Sequence, residues 1–543
     1  DIYRKSELSD MTNHPRYSPP PQQQPGYRTA PNQPGGPYAQ GQQHPYNQQY
    51  DWRYPQSQPS PTAQYRRPHD PFGGGGPGSV PGGTGTGPIP GMLPPMGPPP
   101  VREKRSRGGL LAAGAVAKPA DYVVIASERT ATADGWRDVV ATLVKRHHAQ
   151  TLTWAKSVDD AAPALKAAFP RYACFVAQPD ECGKAFVERV HQITRALDDD
   201  PYADCFWGII TGYSPTQALR IASQERPLTV RRVASGTEIA LDCCQEGLWY
   251  CELNAGKLVR KTRGGQPAQE KVPSDTTEAL AKALSDYRPD LFVTSGHASE
   301  RDWMIGYSYR NGFFKCERGQ LYGLDTQQKR IAIDSPNPKV YLAVGNCLMG
   351  HVDGPDSMAI AWMNNGGVDQ MAGYTVTSWY GYGGWGLLDY YLEQPGRYSL
   401  TEAFFANQAA LLWRLGLAST SDGDRRGLTY DRDVLAFYGD PAWVAKMAPG
   451  PLTYDQALAV RDHTYTLTVT PKRGAESYAA VNKNGSQRGG RPIIAWLPQR
   501  VRNIQLTAGA ELGAVVTDNF ILLPRPEQTE RPVRVSFTAE PIQ

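Results

Sequence analysis

The sequence predicts an α/β protein, a mainly parallel sheet flanked by helices, entered through a low-complexity segment and followed by a small β-rich domain. Three observations predict it. From about residue 119, apolar runs of strand length alternate with stretches of helical spacing. Such alternation marks βαβ units, whose strands are parallel because each crossover returns the chain to the same end of the sheet. The first hundred residues hold 23 of the 47 prolines, while beyond about Gly450 the runs become short, β-branched and partly alternating.

At 543 residues the chain is long enough for about two to four domains, and 40% hydrophobic content supports at least one sizeable core. A net charge of +4 with no long basic run argues against a nucleic-acid partner. No apolar run reaches the roughly 18 residues of a membrane span. Residues 1–107, rich in Pro, Gln and Gly, cannot bury enough apolar surface to offset the entropy of ordering and read as disordered. Within them Arg102-Glu-Lys-Arg-Ser-Arg107 is either a processing site or a solvated charge run. Residues 108–118 read as a linker, 119–449 as the main α/β domain and 450–543 as an Ig-like β-sandwich. The chain starts at Asp1 rather than Met, which fits a leader already removed.

In order, strands are expected at 121–126, 151–154 and 172–177, separated by helices at 135–148, 158–169 and 182–197. Residues 201–222 are less regular, and a strand is expected at 237–243. The alternation resumes with a helix at 276–287 and a strand at 291–295, then, after an irregular stretch, a strand at 340–344 and a helix at 356–364. A buried strand at 367–376 and helices at 387–392 and 400–415 complete the domain. In the tail, strands are expected at 465–470, 492–496, 504–506, 514–516 and 533–537. Of the eight cysteines none has C-x-x-C spacing, so a structural zinc site is not indicated, and Cys243, Cys244 and Cys251 read best as buried thiols.

Two strand ends carry the chemistry. The run Asp290-Leu-Phe-Val-Thr-Ser-Gly296 ends at His297, and Lys339-Val-Tyr-Leu-Ala-Val-Gly-Asn346 ends at Cys347. In parallel sheets, sites gather at the carboxyl ends of strands, where loops and helix N-termini converge. A thiolate is the attacking form of cysteine and needs an imidazole or a positive helix end beside it. His297 is the candidate base and later acid, and the N–H groups of Ala298 and Cys347 are candidates for an oxyanion hole. His351 competes with His297, but Gly350 and Asp353-Gly-Pro place it in a loop. Taken alone, either residue is more often structural: a core thiol, or a histidine ending a strand.

The order of histidine before cysteine, each after an apolar strand, resembles the caspase–gingipain clan of cysteine peptidases. Asn346-Cys347, Ser357-Met-Ala-Ile-Ala-Trp362, Gly366-Gly-Val, Ala372-Gly-Tyr-Thr375 and Tyr438-Gly-Asp-Pro-Ala442 are similar to blocks of the gingipain-like family, over roughly residues 119–446. The resemblance implies a caspase/gingipain-like sheet and a secreted, cell-surface or periplasmic cysteine endopeptidase. Its Cys347/His297 dyad would form a thioester acyl-enzyme on a protein or peptide substrate. It further implies Asp204 as an acidic residue that lines the pocket or orients the histidine, with a turn residue as the alternative; the aromatic-glycine stretch from Trp379 and Tyr380 to Trp385 reads as a pocket wall or as packing under a loop. No cofactor is required and no metal ligand string is present; calcium is a stabilising ion by family analogy only. Ala298 departs from the clan's usual glycine, which keeps open a catalytically inactive interaction protein on the same fold. A sortase-like transpeptidase also stays open, as does the oligomeric state.

Overall fold

A computed structural model describes residues 121–527 and 529–542. The disordered segment, the linker and the basic knot expected before them lie outside the described residues. A twelve-stranded sheet organises the α/β part. Its strands are β1 (Tyr122–Ser127), β2 (Gln150–Trp154), β3 (Tyr172–Val176), β4 (Phe206–Ile210), β5 (Arg232–Ser235) and β6 (Glu246–Tyr250). They continue as β7 (Lys257–Lys261), β8 (Ala268–Lys271), β9 (Leu291–Thr294), β10 (Lys339–Ala343), β11 (Val368–Tyr374) and β12 (Leu435–Tyr438). The spatial order is β2-β1-β3-β4-β12-β11-β10-β9-β5-β6-β7-β8. All neighbours are parallel except β12 with β11, β6 with β7 and β7 with β8. The α/β class, the mostly parallel sheet and its flanking helices are therefore as the sequence predicts.

The antiparallel β11–β12 pairing divides the sheet into two parallel runs of opposite direction, β2-β1-β3-β4-β12 and β11-β10-β9-β5-β6, with β7 and β8 added as an antiparallel edge. The central strands β9 and β10 read as unbroken apolar runs because both their faces are covered: Phe292, Val293, Tyr341 and Leu342 are wholly buried. Their register pairs Leu291 with Val340 and Thr294 with Ala343, so the two strands end at the same level. The chain between them is not irregular throughout. It forms a four-stranded antiparallel sheet, Asp302–Met304, Phe313–Glu317, Gln320–Leu324 and Arg330–Ala332. Trp303 and Phe314 of this insert pack edge to face, and Trp303 does the same against Phe292 of β9.

The expected strand at 237–243 is displaced. β5 stops at Ser235, whose hydroxyl donates to Thr237 O and accepts the Thr237 N–H, closing a turn. Leu241–Cys243 is a short 3-10 turn, and the strand that follows is β6. The stretch 201–222 holds β4 and a helix Pro215–Ala222, which starts with a capping box at Ser214 and Gln217.

The tail folds as two antiparallel sheets. One runs Tyr454–Arg461, Thr464–Pro471, Val533–Pro541, Val501–Ala508; the other runs Ile493–Trp496, Phe520–Leu523, Val515–Val516. Tyr465, Leu467, Ile493, Val535 and Phe537 share one apolar cluster, while Ile494, Phe520 and Leu522 turn into the core of the large sheet. All eight cysteines are unpaired, and among the described residues no helix is long and apolar enough to cross a membrane.

Candidate functional site

The site begins with the ends of β9 and β10. Past Thr294 the chain runs Ser295-Gly296-His297, and past Ala343 it runs Val344-Gly345-Asn346-Cys347. Gly296 has φ +92°, a left-handed conformation that glycine adopts without a Cβ penalty and that swings the chain off the strand into His297. Asn346 ties the two ends together. Its Oδ1 accepts from the Thr294 hydroxyl at 2.6 Å and its Nδ2 donates to Gly296 O at 3.0 Å.

His297 sits at the root of the inserted sheet. Met304 N–H donates to His297 O at 2.9 Å and Ser299 N–H to Asp302 O at 2.8 Å, flanking the bridge between Ala298 and Trp303. In a bridge of this kind the paired residues' own N–H groups point outward, so Ala298 presents its N–H away from Trp303. The imidazole lies face to face with the half-exposed Tyr307 ring, centroids 4.8 Å apart. Tyr307 is itself held by its N–H bond to Glu252 O at 2.7 Å. The buried Glu252 carboxylate also accepts from the hydroxyls of Thr237 and Ser295. One acid thus holds the end of β9 with its side chain and the ring over His297 with its backbone.

On the other tip, the Cys347 sulfur accepts the Ser378 N–H at 3.3 Å and is 8% exposed. Leu348, next in the chain, has φ +57°, a costly conformation for a leucine, fixed by its N–H bond to Val376 O at 2.9 Å. Trp379 is 58% exposed and packs edge-on to Tyr430 with centroids 5.8 Å apart. Tyr430 anchors its hydroxyl on Thr377 O at 2.8 Å. Trp379 and Tyr430 thus pack together next in the chain to Ser378, whose N–H meets the cysteine sulfur. Tyr380 lies beside Trp379 with centroids 6.2 Å apart, its hydroxyl on Asp424 and its ring over Gly427.

The two titratable groups are both pushed toward their neutral forms. Burial raises the Cys347 thiol above its ordinary value, against the lowering effect of the Ser378 N–H, and burial lowers the His297 imidazole. Burial is the leading cause of each shift. The first N–H of the helix after the cysteine, Met358–Asn364, donates to Glu300 O at 2.8 Å.

The remaining expected residue lies elsewhere. Asp204 precedes β4, and its carboxylate accepts the N–H groups of Leu197 and Asp198 at 2.9 and 3.2 Å. Burial, and then the charges of Asp198, Asp200 and Asp518, raise its pKa to about 9. Asn346, Glu252, Tyr307 and Ser378 were not legible as site residues. Asn346 adjoins the cysteine, but nothing local in sequence says that its amide spans two strands.

No family model matches the chain, and no solved structure matches it. One curated relative is Serine protease PepD of Mycobacterium tuberculosis, 50% identical over 116 residues, which is 21% of this chain and 21% of the relative. The chain thus spans about a fifth of the length of the curated relative it matches. This finding corrects the expectation of a gingipain-like cysteine peptidase acting through a Cys347/His297 dyad and a thioester: the relative is a serine protease.

Proposed function

We propose that the chain is a peptidase that hydrolyses amide bonds of protein or peptide substrates at the paired ends of β9 and β10. The observation that carries it is the Asn346 bridge, which fixes an imidazole and two backbone turns at one level of a buried parallel sheet. The partial likeness to a serine protease supports the reaction class. In this reading His297, its pKa lowered by burial, takes the proton from the attacking nucleophile and gives it to the leaving amine. The N–H groups of Ala298 and Cys347 receive the carbonyl oxygen as it gains charge. Trp379, beside Tyr430, lines the path of the substrate chain. We read the two antiparallel sheets of the tail as a β-sandwich that carries the α/β part.

The test is cleavage of a mixed peptide library, read by mass spectrometry, with the wild type and His297→Ala. The wild type cleaves and the variant loses at least about a hundredfold in rate, the scale of a lost acid–base group. Parallel labelling with a fluorophosphonate and an iodoacetamide, followed by peptide mapping, identifies the attacking group. A wild type that leaves every peptide intact, or a variant as active as the wild type, would overturn the proposal.

A further inference from the structure

Residues 481–491 leave the antiparallel tail, cross to the large sheet and return at the strand Ile493–Trp496. Their ends are pinned by buried charge. The N–H groups of Val481 and Asn482 donate to the Glu393 carboxylate at 3.0 and 3.2 Å. Arg488 pairs with Asp389 at 2.7 Å and with Glu393, and Arg491 pairs with Asp389 at 3.0 Å while lying 3.5 Å over the Tyr382 ring. The side chains of all four ionic residues are less than a tenth exposed.

Between these anchors, two adjacent residues reach both halves of the strand-tip site. Gly485, at φ +96°, lies flat on the indole of Trp385: a Cβ there would come within 2.3 Å of the ring. The other edge of that indole backs Gly345, where a Cβ would meet Nε1 at 2.9 Å, two residues before Cys347. Asn484 faces the other tip. Its Nδ2 donates to the Thr237 hydroxyl at 3.0 Å and to Glu238 O at 3.2 Å. Thr237 in turn donates to Glu252, the acid that holds Ser295 and Tyr307. Asn484-Gly-Ser486 also has the form of a glycosylation acceptor, but its amide is occupied inward by these bonds.

We propose that Asn484 and Gly485 are positioning residues that set the strand-tip site from the tail, one through Thr237 and Glu252 toward His297, the other through Trp385 under Cys347. This rests on the reading of those tips as a peptidase site. Nothing in the segment touches the reacting atoms; it sets where they stand. The same contacts make the placement of Cys347 depend on a segment more than a hundred residues away in sequence.

The test uses the full chain and two variants, Asn484→Asp and Gly485→Ala. Asn484→Asp keeps the shape and replaces the inward donor by an acceptor; Gly485→Ala presses a methyl on the indole. Two readouts are taken: kcat and KM on a cleaved library peptide, and the iodoacetamide alkylation rates of Cys347 and Cys316 by peptide mapping. Expected are a fall in kcat of about tenfold or more with KM little changed in both variants, and in Gly485→Ala a Cys347 alkylation rate altered by about tenfold while Cys316 keeps its rate. The unchanged Cys316 rate separates positioning from misfolding. Should Gly485→Ala fail to fold, Asn484→Asp decides. If the wild type cleaves no peptide but the Cys347 rate shifts alone, the peptidase reading falls and the positioning role stands. A Cys347 rate and a kcat within about twofold of wild type in both variants would overturn the inference.

Discussion

Asn346 donates its side-chain amide to the carbonyl of Gly296 at 3.0 Å, so the residue before Cys347 holds the residue before His297. Asn346 is wholly buried, and its Oδ1 is taken by Thr294. Replacing it by alanine leaves a buried hydroxyl and a buried carbonyl without these partners. Asn346→Ala should lose about 1–3 kcal/mol in urea unfolding, mostly the cost of the orphaned Gly296 carbonyl, since the Thr294 hydroxyl keeps the Tyr341 hydroxyl at 2.7 Å. Asn346→Asp, which keeps the acceptor but buries a carboxylate against the Gly296 carbonyl, should lose at least as much as the alanine variant.

His191 supplies a pH-dependent part of the stability. Burial lowers its pKa from 6.5 to about 4, and its Nε2 lies 2.9 Å from Leu435 O, so the folded ring stays neutral and donates there. Between those two values the unfolded chain binds a proton that the folded chain does not, so stability rises with pH. The contribution is fully present above the unfolded value and is lost as the pH falls toward the folded one. The size is about 3 kcal/mol, from about 1.4 per unit. Urea unfolding at a pH near 7.5 and again near 4.5 should show the wild type losing about that much more than His191→Gln.

Arg488 lies between two buried acids, Asp389 and Glu393. Arg488→Met removes the cation and leaves both carboxylates in a desolvated site. A loss of about 3–5 kcal/mol is expected, read from the urea midpoint. Arg488→Lys should recover only part of it, because a single ammonium cannot reproduce the guanidinium fork.

Cys347 should react slowly at neutral pH. Its thiol is held above its ordinary value by burial, so little thiolate is present. The iodoacetamide rate measured by peptide mapping should climb about tenfold per pH unit from 7 to 9. A plateau already reached at neutral pH would show a preformed thiolate and contradict the account.

The alternation of apolar runs and amphipathic stretches made the parallel sheet legible, because strands buried on both faces must be apolar throughout, as Phe292 and Tyr341 are. What it could not show was direction. β12 is short, ends at Tyr438 and lies beside β11, far back in the chain, and no local pattern says that it runs antiparallel there. The strand expected at 237–243 failed for a local reason, the Ser235 hydroxyl turn, which competes with the ladder. At the site, His297 and Cys347 could be picked out as chemical residue types at strand ends. Glu252 and Asn484 could not, because each acts through a hydroxyl contributed by a different segment.

The position of β12 also governs the order in which the sheet can be assembled. Leu435–Tyr438 is the last strand of the large sheet to leave the ribosome, yet it sits in the middle, between β4 and β11. Until it arrives, the growing chain carries two half-sheets, each with an open inner edge of unpaired backbone groups. Such edges recruit other chains, and the contacts that close them span more than two hundred residues, from Tyr438 back to Ile209. A nascent chain halted shortly before Leu435 should therefore be the form most prone to aggregate, and the one a chaperone binds longest.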